Sequence, residues 1–246
     1  METRTTAYQL AFGVECQRTV VLSEPTGKAE RAAGGDAQQM LGALLTGVDV
    51  EQLTRGDRDR ALAHLYGNFY TWDVLADTRC MSCDARFELR FSLRDMLAAR
   101  QPDGTATGTP PQIAVEASRL RLPCVKDRAE TPEEFLKLLT LDGPAPALET
   151  AEAALEQADP ALEFDLPGTC PDCGETQSVP FSMSKFLSAA LTRDYQFLMR
   201  EVHILARTYR WSLDSILALT RAERQEFVRL VLADQGNASA VVRRIS

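Results

Sequence analysis

Two pairs of cysteines offer the clearest chemistry in the sequence. Cys80 and Cys83 lie in CMSCDARFELRFSLRDML, and Cys170 and Cys173 lie in CPDCGETQSVPFSMSKFL. Each pair has Cys-x-x-Cys spacing, which directs two thiolates at one ion, whereas tetrahedral zinc needs four ligands. We therefore expect the two pairs to face each other and to form one structural site of four cysteines, with one zinc per chain.

The two cysteine units form an internal repeat with a constant offset of 90 residues. The offset aligns Cys80 with Cys170 and Cys83 with Cys173, and beyond them Phe91 with Phe181, Ser92 with Ser182 and Leu97 with Leu187. In each copy one extended segment leads into the cysteines and another leads out to the serine. The repeat predicts two β-hairpins with cysteines at their tips and a serine N-cap before each following helix. Asp84 and Gly174, which follow the second cysteines, are predicted to adopt positive φ.

Other readings of the cysteine units remain open. The two pairs could be reduced thiols that bind no metal. A thioredoxin-like redox site is less favoured, because neither pair follows a βαβ pattern or directly opens a long helix. A catalytic zinc would need an open coordination position, and a complete shell of four cysteines leaves none.

The remaining cysteines and the two histidines show no catalytic pattern. Cys16 and Cys124 lie in strand-like apolar segments, so we predict buried side chains that act as small hydrophobes. His64 and His203 lie on predicted helices, where a surface or core histidine is favoured over a further ligand or a general base. Because no Ser-His-Asp order, phosphate-binding glycine loop or HExxH occurs, we expect a non-enzymatic protein without a small-molecule substrate.

The elements around the cysteine units predict an α+β fold. We expect a duplicated zinc-knuckle (zinc-ribbon-like) β-hairpin core with a helical C-terminal part. The predicted segments are N-terminal strands and a loop (1–35), helices plus the first zinc-knuckle unit (36–99), an insertion with strand and helices (100–160), the second zinc-knuckle unit (161–187), C-terminal helices (188–235) and a tail (236–246).

Several local signals fix where these elements should begin and end. Residues 7–22 alternate as strands do, and PTGKAERAAGG after them is predicted to be a loop. Helix N-caps are predicted at Asp36, Thr131, Ser212 and Thr220. LTRGDRDRALAHLYGNFY has helical spacing, and Gly236 is a predicted stop for the last helix.

The composition excludes some partner classes. The chain has 246 residues, with 35 acidic against 27 basic side chains and a net charge of −8. That charge provides no general attraction for nucleic acid or for an anionic membrane. No apolar run reaches the roughly 20 residues of a membrane span, and the start of the chain lacks a signal-peptide pattern. We expect a cytoplasmic protein, or a part of a particle assembled in the cytoplasm.

The longest helical pattern leaves apolar side chains outside its main stripe. The stripe consists of Leu187, Ala190, Leu191, Leu198, Val202, Leu205, Ala206 and Tyr209. Phe186, Phe197, Met199 and Ile204 lie largely off it and need a second packing partner. That partner is either the rest of this chain or another subunit, and the predicted docking residues are Phe186, Phe197, Ile204 and Trp211.

The arginines near the C-terminus raise an alternative function. They are interleaved with Tyr195, Tyr209 and Trp211, a pattern that a zinc-ribbon nucleic-acid-binding adaptor would show. However, Glu201, Asp214 and neighbouring acidic residues dilute the positive charge. A solvated or partner-facing side of amphipathic helices is therefore favoured over a nucleic-acid interface.

Two segments resemble a known family. HILARTYRWSLDSILALTRAERQEFVRLV is similar to the C-terminal signature of the T-even phage baseplate hub assembly family, small proteins encoded in contractile phage-tail and phage-tail-like injection clusters. LTRGDRDRALAHLYGNFY followed by Cys-x-x-Cys resembles the N-terminal half of the injection-cluster members. The resemblance covers residues 53–97 and 162–232, and the insertion at 100–160 has no counterpart in it.

The resemblance implies a part in building or forming a baseplate, with other baseplate or tail proteins as partners. It supplies no catalytic residues. Only Cys80, Cys83, Cys170 and Cys173 match positions with a definable role. Both a component that stays in the particle and an assembly factor that leaves it agree with the resemblance.

Overall fold

The computed structural model describes the backbone of residues 4–245 and the side chains of residues 4–234. It confirms a mixed α+β fold in which antiparallel hairpin sheets alternate with helices. The strands are β1 (Thr5–Val14), β2 (Gln17–Ser23), β3 (Leu45–Thr46), β4 (Asp73–Arg79), β5 (Arg86–Ser92), β6 (Gln112–Val115), β7 (Ser118–Arg121), β8 (Thr140–Asp142), β9 (Glu163–Thr169) and β10 (Thr176–Ser182). The helices are α1 (Gly27–Ala33), α2 (Ala37–Leu44), α3 (Arg55–Phe69), α4 (Leu93–Ala99), α5 (Pro132–Leu139), α6 (Leu148–Ala158), α7 (Met183–Tyr209), α8 (Leu213–Ala218) and α9 (Arg221–Ile245).

The chain divides into two compact units that cut across the segments predicted from the sequence. The first unit contains the described residues up to 5, residues 23–44 and the chain from 187 onward; the second contains residues 6–22 and 45–186. α1 and α2, which the sequence grouped with different segments, therefore belong with the C-terminal helices. The second unit holds the sheets β1-β2-β3 and β6-β7-β8 and the hairpins β4-β5 and β9-β10.

Most of the predicted helix starts are confirmed by hydrogen bonds. Asp36 accepts the N–H of Gln39 at 2.8 Å, and Ser212 accepts the N–H of Ser215 at 3.1 Å. Thr131 and Thr220 each form a capping box with the glutamate three residues later, Glu134 and Glu223 respectively. These caps satisfy backbone donors that no intrahelical bond reaches.

Two local predictions are wrong. The segment PTGKAERAAGG was predicted to be a loop, but it contains α1, whose first turn is capped by the Thr26 hydroxyl. The short alanine-rich run after Thr26 favours a helix, and Gly34 ends it in the left-handed conformation.

Gly236 was predicted to stop the last helix, but α9 continues to Ile245. A glycine inside a helix costs only about 1 kcal/mol, which neighbouring helix-compatible residues offset.

The same order of elements occurs twice along the chain. Helix, hairpin and helix occur as α3-β4-β5-α4 and again as α6-β9-β10-α7, and the register of the two hairpins matches at the 90-residue offset. The bond that joins each hairpin to its next helix also matches: Leu93 N–H donates to the Trp72 carbonyl, and Met183 N–H donates to the Leu162 carbonyl, both at 2.9 Å. The sequence repeat thus corresponds to two similar backbone arrangements.

A buried group of charges holds α3 in the second unit. Arg60 donates to Asp57 at 3.1 Å and to Asp159 at 2.5 Å, and all three side chains are almost completely buried. Asp57 also accepts the backbone N–H groups of Ala11, Phe12 and Gly13 in β1. Burial alone would lower the pKa of Arg60, but the two carboxylates raise it above its ordinary value. One ionic group therefore connects α3, β1 and the end of α6.

Candidate metal centre

The two hairpins present their cysteines through identical turns. Cys80 N–H donates to the Ala85 carbonyl at 2.9 Å, and Cys170 N–H donates to the Glu175 carbonyl at 2.8 Å. Asp84 and Gly174 have φ of 57° and 75°, as predicted, so the chain can turn back after each second cysteine. The two cysteines of each pair therefore lie in turns with the same backbone hydrogen bond and the same positive-φ position.

The structure brings the four predicted ligands together. Their sulfur atoms all lie within 4.8 Å of one another. Two of these distances join the hairpins: Cys80 Sγ lies 3.5 Å from Cys173 Sγ, and Cys83 Sγ lies 3.7 Å from Cys170 Sγ. A tetrahedral ion with bonds of about 2.3 Å places its sulfur ligands about 3.8 Å apart, so the observed spacing fits one such ion.

Burial differs within each pair. Cys80 and Cys170 are buried beside Phe87, with Ala85 and Leu89 packed against them, whereas Cys83 and Cys173 are exposed. This apolar group is small. The hairpin pair thus has little hydrophobic core of its own near the sulfur atoms, and a two-stranded hairpin alone is only marginally stable in water.

Direct contacts between the hairpins position the cysteine pairs. Gln177 in β10 donates to the Arg79 carbonyl and accepts the Met81 N–H, both at 2.8 Å. The rings of Phe91 and Phe181 meet edge to face with centroids 5.0 Å apart. These contacts clamp the first cysteine turn onto the second hairpin.

Sequence reasoning missed two of the residues that bring the hairpins together. Gln177 occupies the position that Phe87 holds in the first copy. This difference between the two copies could have indicated that Gln177 has a separate role. Gly168 was equally informative, because a Cβ there would lie 2.9 Å from Leu89 Cδ2. A larger residue at this position would require the Leu89 side chain to shift.

The thiols strongly affect one another's ionisation. Backbone N–H groups, first that of Cys83, lower the pKa of Cys80 to about 7. The Ala85 N–H lowers the pKa of Cys83, but the neighbouring thiols, Cys173 foremost, more than offset this and raise it to about 12. The Glu175 N–H likewise lowers the pKa of Cys173, but Cys80 opposes it and the pKa is raised overall. Because one negative sulfur opposes the ionisation of its neighbours, four thiolates can be present together only with a cation at the centre of the cluster.

This arrangement can hold a metal ion but leaves no position for a substrate. Four thiolates complete a tetrahedral shell, whereas catalytic zinc sites keep one position open. Arg79, next to the first cysteine, pairs with Asp84 at 3.0 Å, and both side chains are exposed. The donor set therefore suits a structural cation rather than a reaction centre.

The other two cysteines lie outside this cluster. Cys16 was predicted to be buried, but it is exposed and occupies the β1-β2 turn with φ of 71°. The apolar alternation around it belongs to the strands, whereas the turn itself faces water. Cys124 is only half-buried, and burial, the largest cause, raises the pKa of its thiol.

The two histidines lie in different environments. His203 is exposed on α7. His64 on α3 is half-buried between aromatic rings, 4.1 Å from the Tyr8 centroid and 5.4 Å from the Trp72 centroid. Burial lowers the pKa of His64 to about 4. Neither histidine belongs to the sulfur cluster.

We expect His64 to make stability depend on pH. Its pKa is about 4 in the folded chain and about 6.5 when unfolded, so its contribution is complete above about pH 6.5 and is lost as the pH falls toward 4. Between pH 7.5 and pH 5 the free energy of unfolding should fall by about 1 to 2 kcal/mol more in the parent chain than in His64→Phe, measured by urea unfolding. His203→Phe is the control and should keep the parent slope; an unchanged slope in His64→Phe would contradict this prediction.

The predicted docking residues differ in how far their side chains are covered by the chain itself. Phe186 is half-buried against Tyr66 and Phe181, and Trp211 packs on Tyr209 and Phe227. For these two, the partner lies within the chain. Ile204 is half-buried, whereas Phe197 is 56% exposed.

No helix in the described part of the chain combines the length and the apolar character that a membrane span requires. Comparison with protein-family models, with curated proteins and with solved structures finds no match to this chain.

Proposed function

We propose that the protein is a non-enzymatic structural or assembly protein of a contractile-tail baseplate, in a phage or a phage-tail-like injection system. The segment that carries the resemblance spans the end of α7, all of α8 and the start of α9. The observation that best supports a docking role is the set of exposed large apolar side chains on these helices: Tyr195, Phe197, Met199, Leu213, Leu230 and Leu232. Exposed apolar surface of this kind is typical of protein–protein contact.

We further propose that the two hairpins form a duplicated zinc-knuckle core around one structural zinc ion. The spacing of the four sulfur atoms and the closed thiolate shell support this assignment. The ion would fix the hairpins in place of a larger apolar core and would take no part in chemistry.

Metal analysis tests the zinc assignment. Protein purified without added chelator should contain about one zinc per chain, and Cys170→Ser should contain much less, because three sulfur ligands and a hydroxyl bind zinc far more weakly. X-ray absorption at the zinc edge should give four sulfur neighbours at about 2.3 Å. A parent chain that is stably folded and metal-free would refute the assignment.

The docking role predicts a specific effect of Phe197. Phe197→Asp removes an exposed ring and places a charge on α7, so binding to the baseplate partner should weaken at least tenfold if the ring is buried there. The measurement is co-purification after co-expression with the tube, sheath and spike proteins of a contractile tail.

The control for that prediction is Leu75→Asp, which changes a similarly exposed apolar side chain on β4. Both variants should unfold at the parent temperature, since neither side chain is buried. Equal recovery of partners with Phe197→Asp and with Leu75→Asp would rule out α7 as the docking surface.

A further inference from the structure

A cavity of about 650 Å³ lies in the second unit, between α5, α6 and the start of α3. Its apolar wall is formed by side chains of the two later helices: Phe135, Leu136, Leu139, Leu148, Ala151 and Leu155. None of the four clustered cysteines lines it. Charged side chains surround this apolar wall, and a cavity of this volume that combines an apolar wall with polar groups is typical of sites for small molecules.

Arg55 brings an uncompensated positive charge to this cavity. Its guanidinium lies 4.6 Å from the centre of the Phe135 ring, and within the described chain no carboxylate pairs with it. Arg58 and Arg128 line the same cavity, but they are otherwise engaged. Arg58 pairs with Asp59 at 2.7 Å, and Arg128 donates to backbone carbonyls.

The carboxylates around the cavity do not neutralise Arg55. Four of them already pair with cations elsewhere: Asp127 with Arg121, Glu156 with Arg100, Asp159 with Arg60, and Glu163 with Lys185. The other two, Glu130 and Glu152, are exposed, so water screens them. Burial lowers the pKa of Arg55, and Arg58 and Arg128 lower it further; Asp127 and Glu163 act in the opposite direction but do not offset this shift.

We propose that this cavity binds a small amphipathic carboxylate, a molecule with one carboxylate group and an apolar body. The planar guanidinium of Arg55 offers two parallel donors to a carboxylate. The apolar body would pack against Leu148 and Leu155, which are only partly buried, and would leave water. One free guanidinium matches a single negative charge, whereas a phosphate dianion would need a second free cation. This inference does not depend on the proposed baseplate role.

Three probes of graded chemistry test the proposal on the full-length parent chain by isothermal titration calorimetry. Decanoate has both the carboxylate and an apolar chain, decanol has the chain alone, and acetate has the carboxylate alone. Decanoate should bind at least about tenfold more tightly than decanol, because it adds a charge-assisted pair with Arg55. Acetate should show no measurable binding. Equal affinities for decanoate and decanol, or no binding of decanoate at millimolar concentration, would overturn the proposal.

Substitutions locate the site. Arg55→Gln should weaken decanoate at least about tenfold and leave decanol unchanged, because only the charge pair is lost. Leu155→Trp, which fills the cavity, should weaken both. Arg94→Gln is the matched control, since Arg94 also lies over an aromatic ring, Trp72, at 4.8 Å but outside the cavity. Should Arg55→Gln fail to fold, the affinities of the parent chain for decanoate and decanol still show whether the site recognises a carboxylate. Equal loss of decanoate in Arg55→Gln and Arg94→Gln would place the ligand elsewhere.

Discussion

Replacing Cys170 by serine is expected to unfold the hairpin pair of the second unit. Cys170 is buried, its sulfur lies 3.7 Å from that of Cys83, and the apolar group around it is small. If the site holds zinc, metal binding supplies much of the folding free energy here, and in small zinc domains it amounts to about 10 kcal/mol or more. Water and the three remaining cysteines can compensate for part of this loss. We therefore expect the local free energy of unfolding to fall by at least about 5 kcal/mol.

Hydrogen exchange gives the clearest measurement. In Cys170→Ser, or in the parent chain treated with a strong chelator, the amide protons of β4, β5, β9 and β10 should exchange at least a thousandfold faster. Cys16→Ser is the matched control, because it makes the same substitution at an exposed cysteine in a turn. If the amide protons of these strands exchange at the same rate in Cys170→Ser and in Cys16→Ser, the cation does not hold the hairpins together.

The second large effect is expected at Arg60. Arg60→Met leaves Asp57 and Asp159 buried without their cation, and the loss of one partner from a buried ion pair costs about 3 to 5 kcal/mol. The cost includes looser anchoring of β1, since Asp57 also accepts three backbone N–H groups from that strand. The urea midpoint of unfolding should fall accordingly.

An ion pair on the surface serves as the control, because it shows whether burial causes the large stability loss expected for Arg60→Met. Arg119 pairs with Asp142 at 3.2 Å, but both side chains are more than half exposed, so Arg119→Met should cost less than about 1 kcal/mol. Adding Asp159→Asn to Arg60→Met should recover part of the lost stability, because it removes one uncompensated charge. Similar costs for Arg60→Met and Arg119→Met would show that the buried group contributes no more than a surface ion pair.

The hairpins and the sulfur cluster were predictable because their signals are local and occur twice. The Cys-x-x-Cys spacing, the serine caps and the positive-φ positions each depend on a few neighbouring residues. The repeat offset then implied that two similar turns meet, although the sequence contains no direct measure of their distance. The identity of the ion remains a prediction.

The features that sequence reasoning missed depend on long-range packing. Nothing near Arg60 reveals that Asp159, 99 residues away, is its partner. The exposure of Cys16 depends on the turn into which its strand folds, and the packing of Trp211 against Tyr209 and Phe227 depends on where α9 lies. The cavity beside Arg55 arises where separate helices leave space, and no single segment encodes it.

The distance along the chain between the cysteine pairs has a consequence during synthesis. A ribosome adds about 5 to 20 residues per second, so Cys80 and Cys83 emerge roughly 5 to 20 s before Cys170 and Cys173. During that interval the nascent chain carries only the first of the two cysteine pairs. If the cluster binds an ion, the first pairs of two neighbouring chains on one polysome can bind it together and join the chains. Scarcity of free metal early in translation would favour the correct intramolecular closure.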